Sequence, residues 1–151
     1  MKLLLTAVWL SFILRALFYC TAFPLWEGFD EYAHVAVIQH VFVHHDLPDF
    51  RTANSSREIA ESRKLAPVPW LLRDDSNGLL SHEEYWRLSN QDRSQRQARL
   101  RNLPPSWSAE DADPKLPLYE AQQPPLYYWL LMPVYWSVKS LDLPTQIWIL
   151  R

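Results

Sequence analysis

LLLTAVWLSFILRALFYCTAFPLW, Leu3 to Trp26, is the stretch on which the fold turns. Its single charge is Arg15, and Lys2 stands ahead of it. A bilayer-crossing helix needs about 20 mostly apolar residues, and this block supplies them. A cleaved signal peptide also begins with a basic residue and an apolar core. Here, however, the apolar run continues two turns past Arg15 with no A-x-A pattern behind it. A lipoprotein leader fails at Leu17-Phe18-Tyr19-Cys20, where bulky aromatics stand in place of small residues. The reading is a retained transmembrane helix over residues 1–26, with a cleaved leader as its competitor.

A second apolar block, PPLYYWLLMPVYWSVKSLDL, begins at Pro124. Pro124 and Pro125 suit a first helical turn, where the missing N–H groups cost nothing. Tyr127, Tyr128, Trp129, Tyr135 and Trp136 lie towards its ends, as an aromatic belt would, and Pro133 is expected to bend it. The run is short for a span unless Lys139 snorkels to the interface. We expect a second transmembrane helix over 124–143, against the alternative of a buried or interfacial helix. Residues 144–151, PTQIWILR, read as the start of a helix cut short, so the chain is expected to be the N-terminal piece of a multi-spanning protein.

Between the blocks, residues 27–123 hold 16 acidic and 11 basic residues, a net charge of −5 within an overall −2. The basic residues Lys2, Lys139 and Arg151 flank the apolar blocks, which favours cytoplasmic termini and an outward-facing loop. The remaining composition is restrictive. Only 2 Gly stand against 12 Pro, and 8 Trp is heavy for a small soluble domain. A single cysteine, Cys20, rules out a disulfide framework or a multi-cysteine zinc site, and the charge gives no support for nucleic-acid binding. Within the loop, Asp30 can N-cap a helix running to about His44. Ser55-Ser56-Arg57-Glu58 and Ser81-His82-Glu83-Glu84 both fit the capping box, and the segment to about Asn102 is arginine-rich. The expected fold is all-α and membrane-embedded, with short interfacial helices in a long extracytoplasmic loop.

Two clusters could carry chemistry. Trp26-Glu27-Gly28-Phe29-Asp30-Glu31-Tyr32-Ala33-His34 follows the first block directly. Asp30 and His34 share a helix face, while Glu31 points about a quarter-turn away. Carboxylates so placed can deprotonate a hydroxyl or bind a divalent ion, or simply cap the helix and compensate its dipole. The second cluster, Tyr119-Glu120-Ala121-Gln122-Gln123-Pro124-Pro125-Leu126-Tyr127-Tyr128-Trp129, puts Glu120 just ahead of the second block. His40 and His44 have metal-like i,i+4 spacing without a patterned acidic third ligand. Arg87, Arg93, Arg96, Arg99 and Arg101 read as a solvated face, and Asn54-Ser55-Ser56 is a glycosylation sequon.

Taken together, a first span, a D-E-x-x-H sequence, a long outer loop and E…PPLYYW resemble the N-terminal part of the C-type (GT-C) membrane glycosyltransferases. Protein mannosyltransferases and the lipid A aminoarabinose transferase belong to that superfamily. In the aminoarabinose branch Glu-Lys directly precedes the two prolines, where this chain has Gln122-Gln123. The resemblance implies a multi-pass enzyme of the cell (inner) membrane that transfers a sugar from a polyprenyl-phosphate donor to an acceptor on the outer face. It implies Asp30 and Glu31 as catalytic carboxylates and His34, Glu120 and Gln123 as substrate-binding residues. A divalent metal ion is a possible cofactor, and lipid-linked sugar and membrane lipids are the implied partners. The alternative is a non-catalytic two-span membrane protein whose outer loop binds a partner.

Overall fold

The structure, a computed structural model, describes residues 2–28, 30–105 and 112–151. Phe29 of the first cluster lies outside them. The described chain is mostly helical. Helix α1 (Lys2–Ala22) is followed by α2 (Glu31–His44), strand β1 (Asn54–Ser56) and α3 (Arg57–Leu65). Then come α4 (His82–Arg87), α5 (Asn90–Arg101), β2 (Ala112–Pro117), α6 (Leu126–Val138) and α7 (Leu143–Leu150). Single 3-10 turns lie at Trp70–Leu72, Asp75–Asn77 and Tyr119–Gln122.

Helix α1 has 21 residues and buries none of them. At 1.5 Å per residue it is about 31 Å long, the thickness of a bilayer's hydrocarbon core. Among the described residues it is the one helix long and apolar enough to cross a membrane. The core lies elsewhere, around α2. Tyr32, Ala33, Val35, Ala36, Val37, Ile38 and Val41 of α2 are all buried. Helix α2 packs against β1, α6 and the 119–122 turn. Helix α6 runs alongside it in the same direction, with His34 beside Tyr128 at the start and Phe42 beside Tyr135 further on. Helix α7 packs on α6 and α5.

Several expectations are corrected. The fold is not purely helical, because β1 and β2 pair antiparallel with an irregular register, Asn54 opposite Pro117 and Ser56 opposite Ala112. Pro114 and Pro117 fix φ and remove donors, so this segment cannot be helical. The second apolar block forms a helix of 13 residues, about 20 Å long. It ends before Lys139, and Asp142 then caps α7 by accepting from Thr145 N–H at 3.1 Å. Helix α2 does run to His44, but it is stopped by His45 in the left-handed region (φ 59°), whose N–H donates to Val41 C=O at 3.0 Å, rather than by Pro48. The arginine-rich segment divides at Ser89, which starts α5 by accepting from Asp92 N–H at 3.1 Å.

The Ser81 capping box is complete in both directions. The other is displaced. Ser56, not Ser55, caps α3 by accepting from Ile59 N–H at 3.2 Å, and its hydroxyl donates to Gln39 Oε1 at 2.6 Å. Glu58 turns into the core to accept from Gln39 Nε2 at 2.8 Å instead of reaching back to the cap. The Ser55 hydroxyl is buried without a partner among the described residues. Ser56→Ala therefore loses a cap worth about 1 kcal/mol and strands a buried amide oxygen. Ser55→Ala removes an unmet hydroxyl and is expected to be neutral or stabilising. Urea titration of the two variants in detergent should separate their midpoints, with Ser56→Ala the lower.

Candidate functional site

The chain leaves α1 through Pro24 and must turn sharply to enter α2. Trp26 takes the turn at φ 65°, a conformation that costs a non-glycine residue of order 1–3 kcal/mol. Burial of the whole side chain and an indole N–H donated to Ser62 Oγ at 3.1 Å offset that cost. Its backbone N–H donates to Glu31 Oε2 at 3.0 Å. Gly28 permits the close approach, since a Cβ there would lie 3.0 Å from Glu31 Cβ.

The Asp-Glu pair is thereby split into two environments. Glu31 accepts from Arg151 on both oxygens, Nε to Oε1 at 2.5 Å and an Nη to Oε2 at 2.8 Å, in the bidentate geometry arginine prefers. Arg151 also donates to the carbonyls of Phe23 at 2.8 Å and Pro24 at 2.7 Å. The C-terminal arginine, expected on the cytoplasmic side of a second span, thus meets the α1–α2 turn. Asp30 differs. Its backbone carbonyl starts α2 by accepting from Ala33 N–H at 2.9 Å, but its carboxylate makes no capping bond, contrary to expectation. The side chain is half-exposed, with Oδ2 3.4 Å from His34 Nε2.

The shared face expected of Asp30 and His34 is present, and it extends into the second cluster. His34 Nδ1 lies 2.9 Å from the Tyr128 hydroxyl, and that hydroxyl reaches Glu120 C=O at 3.4 Å. Glu120 is buried, and among the described residues its Oε2 has no partner. Tyr119, hydrogen-bonded to Tyr32, has its phenol pushed well above the usual range, chiefly by burial and then by that bond. Asp30, His34, Tyr128 and Glu120 therefore form one polar seam between the start of α2 and the start of α6. Gln123 is exposed at the end of the 119–122 turn, its N–H bonded to Glu120 C=O at 3.0 Å. From the sequence Tyr128 reads as part of an aromatic belt and Arg151 as a topology signal, and neither is placed in the site.

Among the described residues no three His, Cys, Asp or Glu side chains gather to hold a metal ion. His40 and His44 stack with ring centroids 4.2 Å apart, and Asp46 lies 3.5 Å from His40 Nε2 without completing such a site. Of the arginines read as a solvated face, three are engaged: Arg87 pairs with Glu83 one turn before it, Arg96 donates to Lys64 C=O at 2.6 Å and Arg93 to Trp86 C=O at 2.8 Å. No known family, curated protein or solved structure matches this chain.

The histidine stack gives a pH test. Burial, and then the neighbouring His44, hold His40 below its ordinary 6.5. The unfolded chain therefore binds the proton more readily, and stability falls as pH drops below 6.5. His40→Gln removes this contribution. Its urea midpoint should decline less between neutral and mildly acidic pH than that of the wild type.

Proposed function

We propose that this chain is the acceptor-side portion of a membrane glycosyltransferase, in which Asp30 is the general base for sugar transfer from a polyprenyl-phosphate donor. One observation carries the reading. A half-exposed carboxylate stands on the turn directly after a bilayer-length helix, beside a histidine fixed by Tyr128 of the PPLYYW sequence. A sugar hydroxyl is a poor nucleophile. As it attacks the anomeric carbon, its proton passes to Asp30, the glycosidic C–O bond to phosphate breaks, and lipid phosphate leaves. Glu31 holds the turn that carries Asp30, His34 orients the carboxylate, and the unpartnered Glu120 oxygen supplies an acceptor for a substrate hydroxyl. Gln123 lies at the rim.

The resemblance in layout and the apolar surface support a multi-pass protein of the cell (inner) membrane. In this arrangement α1 crosses the bilayer and the 124–143 block, helical over Leu126–Val138 and about 20 Å long, enters it beside α1. Leu126, Tyr127, Trp129, Leu130 and Trp136 are exposed on α6, an apolar face suited to lipid, while Tyr128 and Tyr135 face α2. The second reading, a non-catalytic protein with a partner-binding loop, draws on the exposed Trp70 and Trp86.

Two experiments test the proposal. Asp30→Asn keeps size and polarity but removes basicity, so in the full-length protein transfer should fall by about 10²-fold or more with unchanged folding. A near-normal rate would make Asp30 a structural residue and favour the partner-binding reading. For topology, Ser94→Cys on exposed α5, in a Cys20→Ser background, should react with an impermeant thiol reagent on intact cells. Ser140→Cys, between α6 and α7, reports on the second block, and reaction only after lysis would mark a full crossing. Labelling of both on intact cells leaves α1 as the sole crossing.

A further inference from the structure

A cavity of ≈ 620 Å³ lies between α3, the 3-10 turns at 70–77 and β2, apart from the Asp30 seam. Arg57, Arg63, Lys64, Arg73 and Lys115 line it, in a loop whose net charge is −5. Three carboxylates share the wall, and each is already engaged. Glu61 pairs with Lys64 at 2.5 Å. Asp74 is bonded to Ser76 and Asn77, which hold it below the usual carboxylate range. Asp113 accepts Lys115 N–H at 2.9 Å. Arg73 is neutralised from outside the cavity by Asp75 at 2.9 Å and Glu84 at 2.8 Å.

Arg63 stands apart. It is 9% exposed, yet among the described residues no carboxylate pairs with it. Its guanidinium lies over the Tyr32 ring at 4.1 Å, and its Nε is buried without a partner. Taking a cation out of water is costly unless it is paired, and stacking on one aromatic face offsets only part of that. The missing component is an anion. With Arg57 and Lys115 also on the wall, a doubly charged oxyanion fits better than a single carboxylate, and a guanidinium fork suits phosphate oxygens. Leu71, Leu72, Leu79 and Leu116 give the same cavity an apolar side.

We propose that this cavity binds a phosphate monoester, its phosphate at Arg63 and its organic part against the leucines. The site does not depend on the glycosyltransferase reading. The phosphate could belong to a soluble small molecule or to a lipid headgroup, and the test separates them. The full chain in phosphatidylcholine nanodiscs is titrated with phenyl phosphate by calorimetry. We expect saturable binding that weakens with salt, drops at least tenfold in Arg63→Gln and weakens several-fold in Lys115→Gln. The second variant changes an exposed residue, so its reading stands even if Arg63→Gln fails to fold. Asp30→Asn should bind as the wild type does. Phosphatidic acid included in the nanodisc should abolish phenyl phosphate binding if the natural source is a lipid and leave it intact if the source is soluble. Absence of binding in the wild type, or equal affinity in wild type and Lys115→Gln, overturns the proposal.

Discussion

The folded part of this protein depends on how one polar side chain in an apolar helix is satisfied. Gln39 is buried in the middle of α2, among Val35, Ile38 and Val41. A buried amide left unpaired costs roughly 1–3 kcal/mol, so its neighbours must be specified. Ser56 donates to its oxygen, Glu58 accepts from its nitrogen, and Tyr135 hydrogen-bonds to it as well. Those partners come from β1, α3 and α6. The amide thus registers three elements against α2, and the cap of α3 is committed to the same bond network.

The site inherits its geometry from this arrangement. Because α6 is held beside α2, Tyr128 reaches His34 at one end while Phe42 meets Tyr135 edge-on at 5.3 Å at the other. Because Trp26 is anchored in the core, the α1–α2 turn is fixed and Glu31 points towards Arg151. Adjacent acids in the sequence therefore do different things. Glu31 is engaged by N–H donors of Trp26 and Arg151 and holds the backbone, while Asp30 stays half-exposed beside His34.

The sequence makes the elements that obey local rules legible. Helix α1 follows from apolar length, α2 from the proline- and glycine-free run between Asp30 and Leu47-Pro48, and the Ser81 box from spacing alone. The Asp30–His34 face is likewise visible from helical periodicity. What the sequence hides is long-range. Ser55 and Ser56 both fit a cap, and only Gln39, 17 residues back, decides between them. Arg151 looks like a topology signal until α7 folds back on α6 and carries it to Glu31. The 124–143 block has the composition of a span, but its helix stops before Lys139, because Asp142 caps a new helix three residues later. The sheet is hidden because a six-residue strand containing two prolines has no alternating pattern to read.

Three arginines show how differently one charge can be accommodated. Arg151 is met by a carboxylate and by main-chain carbonyls at the end of α1, and nothing further is needed. Arg15 lies in an apolar helix, its guanidinium 5.5 Å from the Tyr19 ring centroid, an arrangement that serves if the side chain extends towards a headgroup. Arg63 has an aromatic face but, among the described residues, no counter-charge, although the cavity wall beside it holds three carboxylates. Those acids are turned to other donors, so the deficit comes from how the wall is arranged and not from a shortage of negative residues. Among the described residues, a wall that has acids within reach and leaves its most buried cation unpaired suits an anion that arrives from outside.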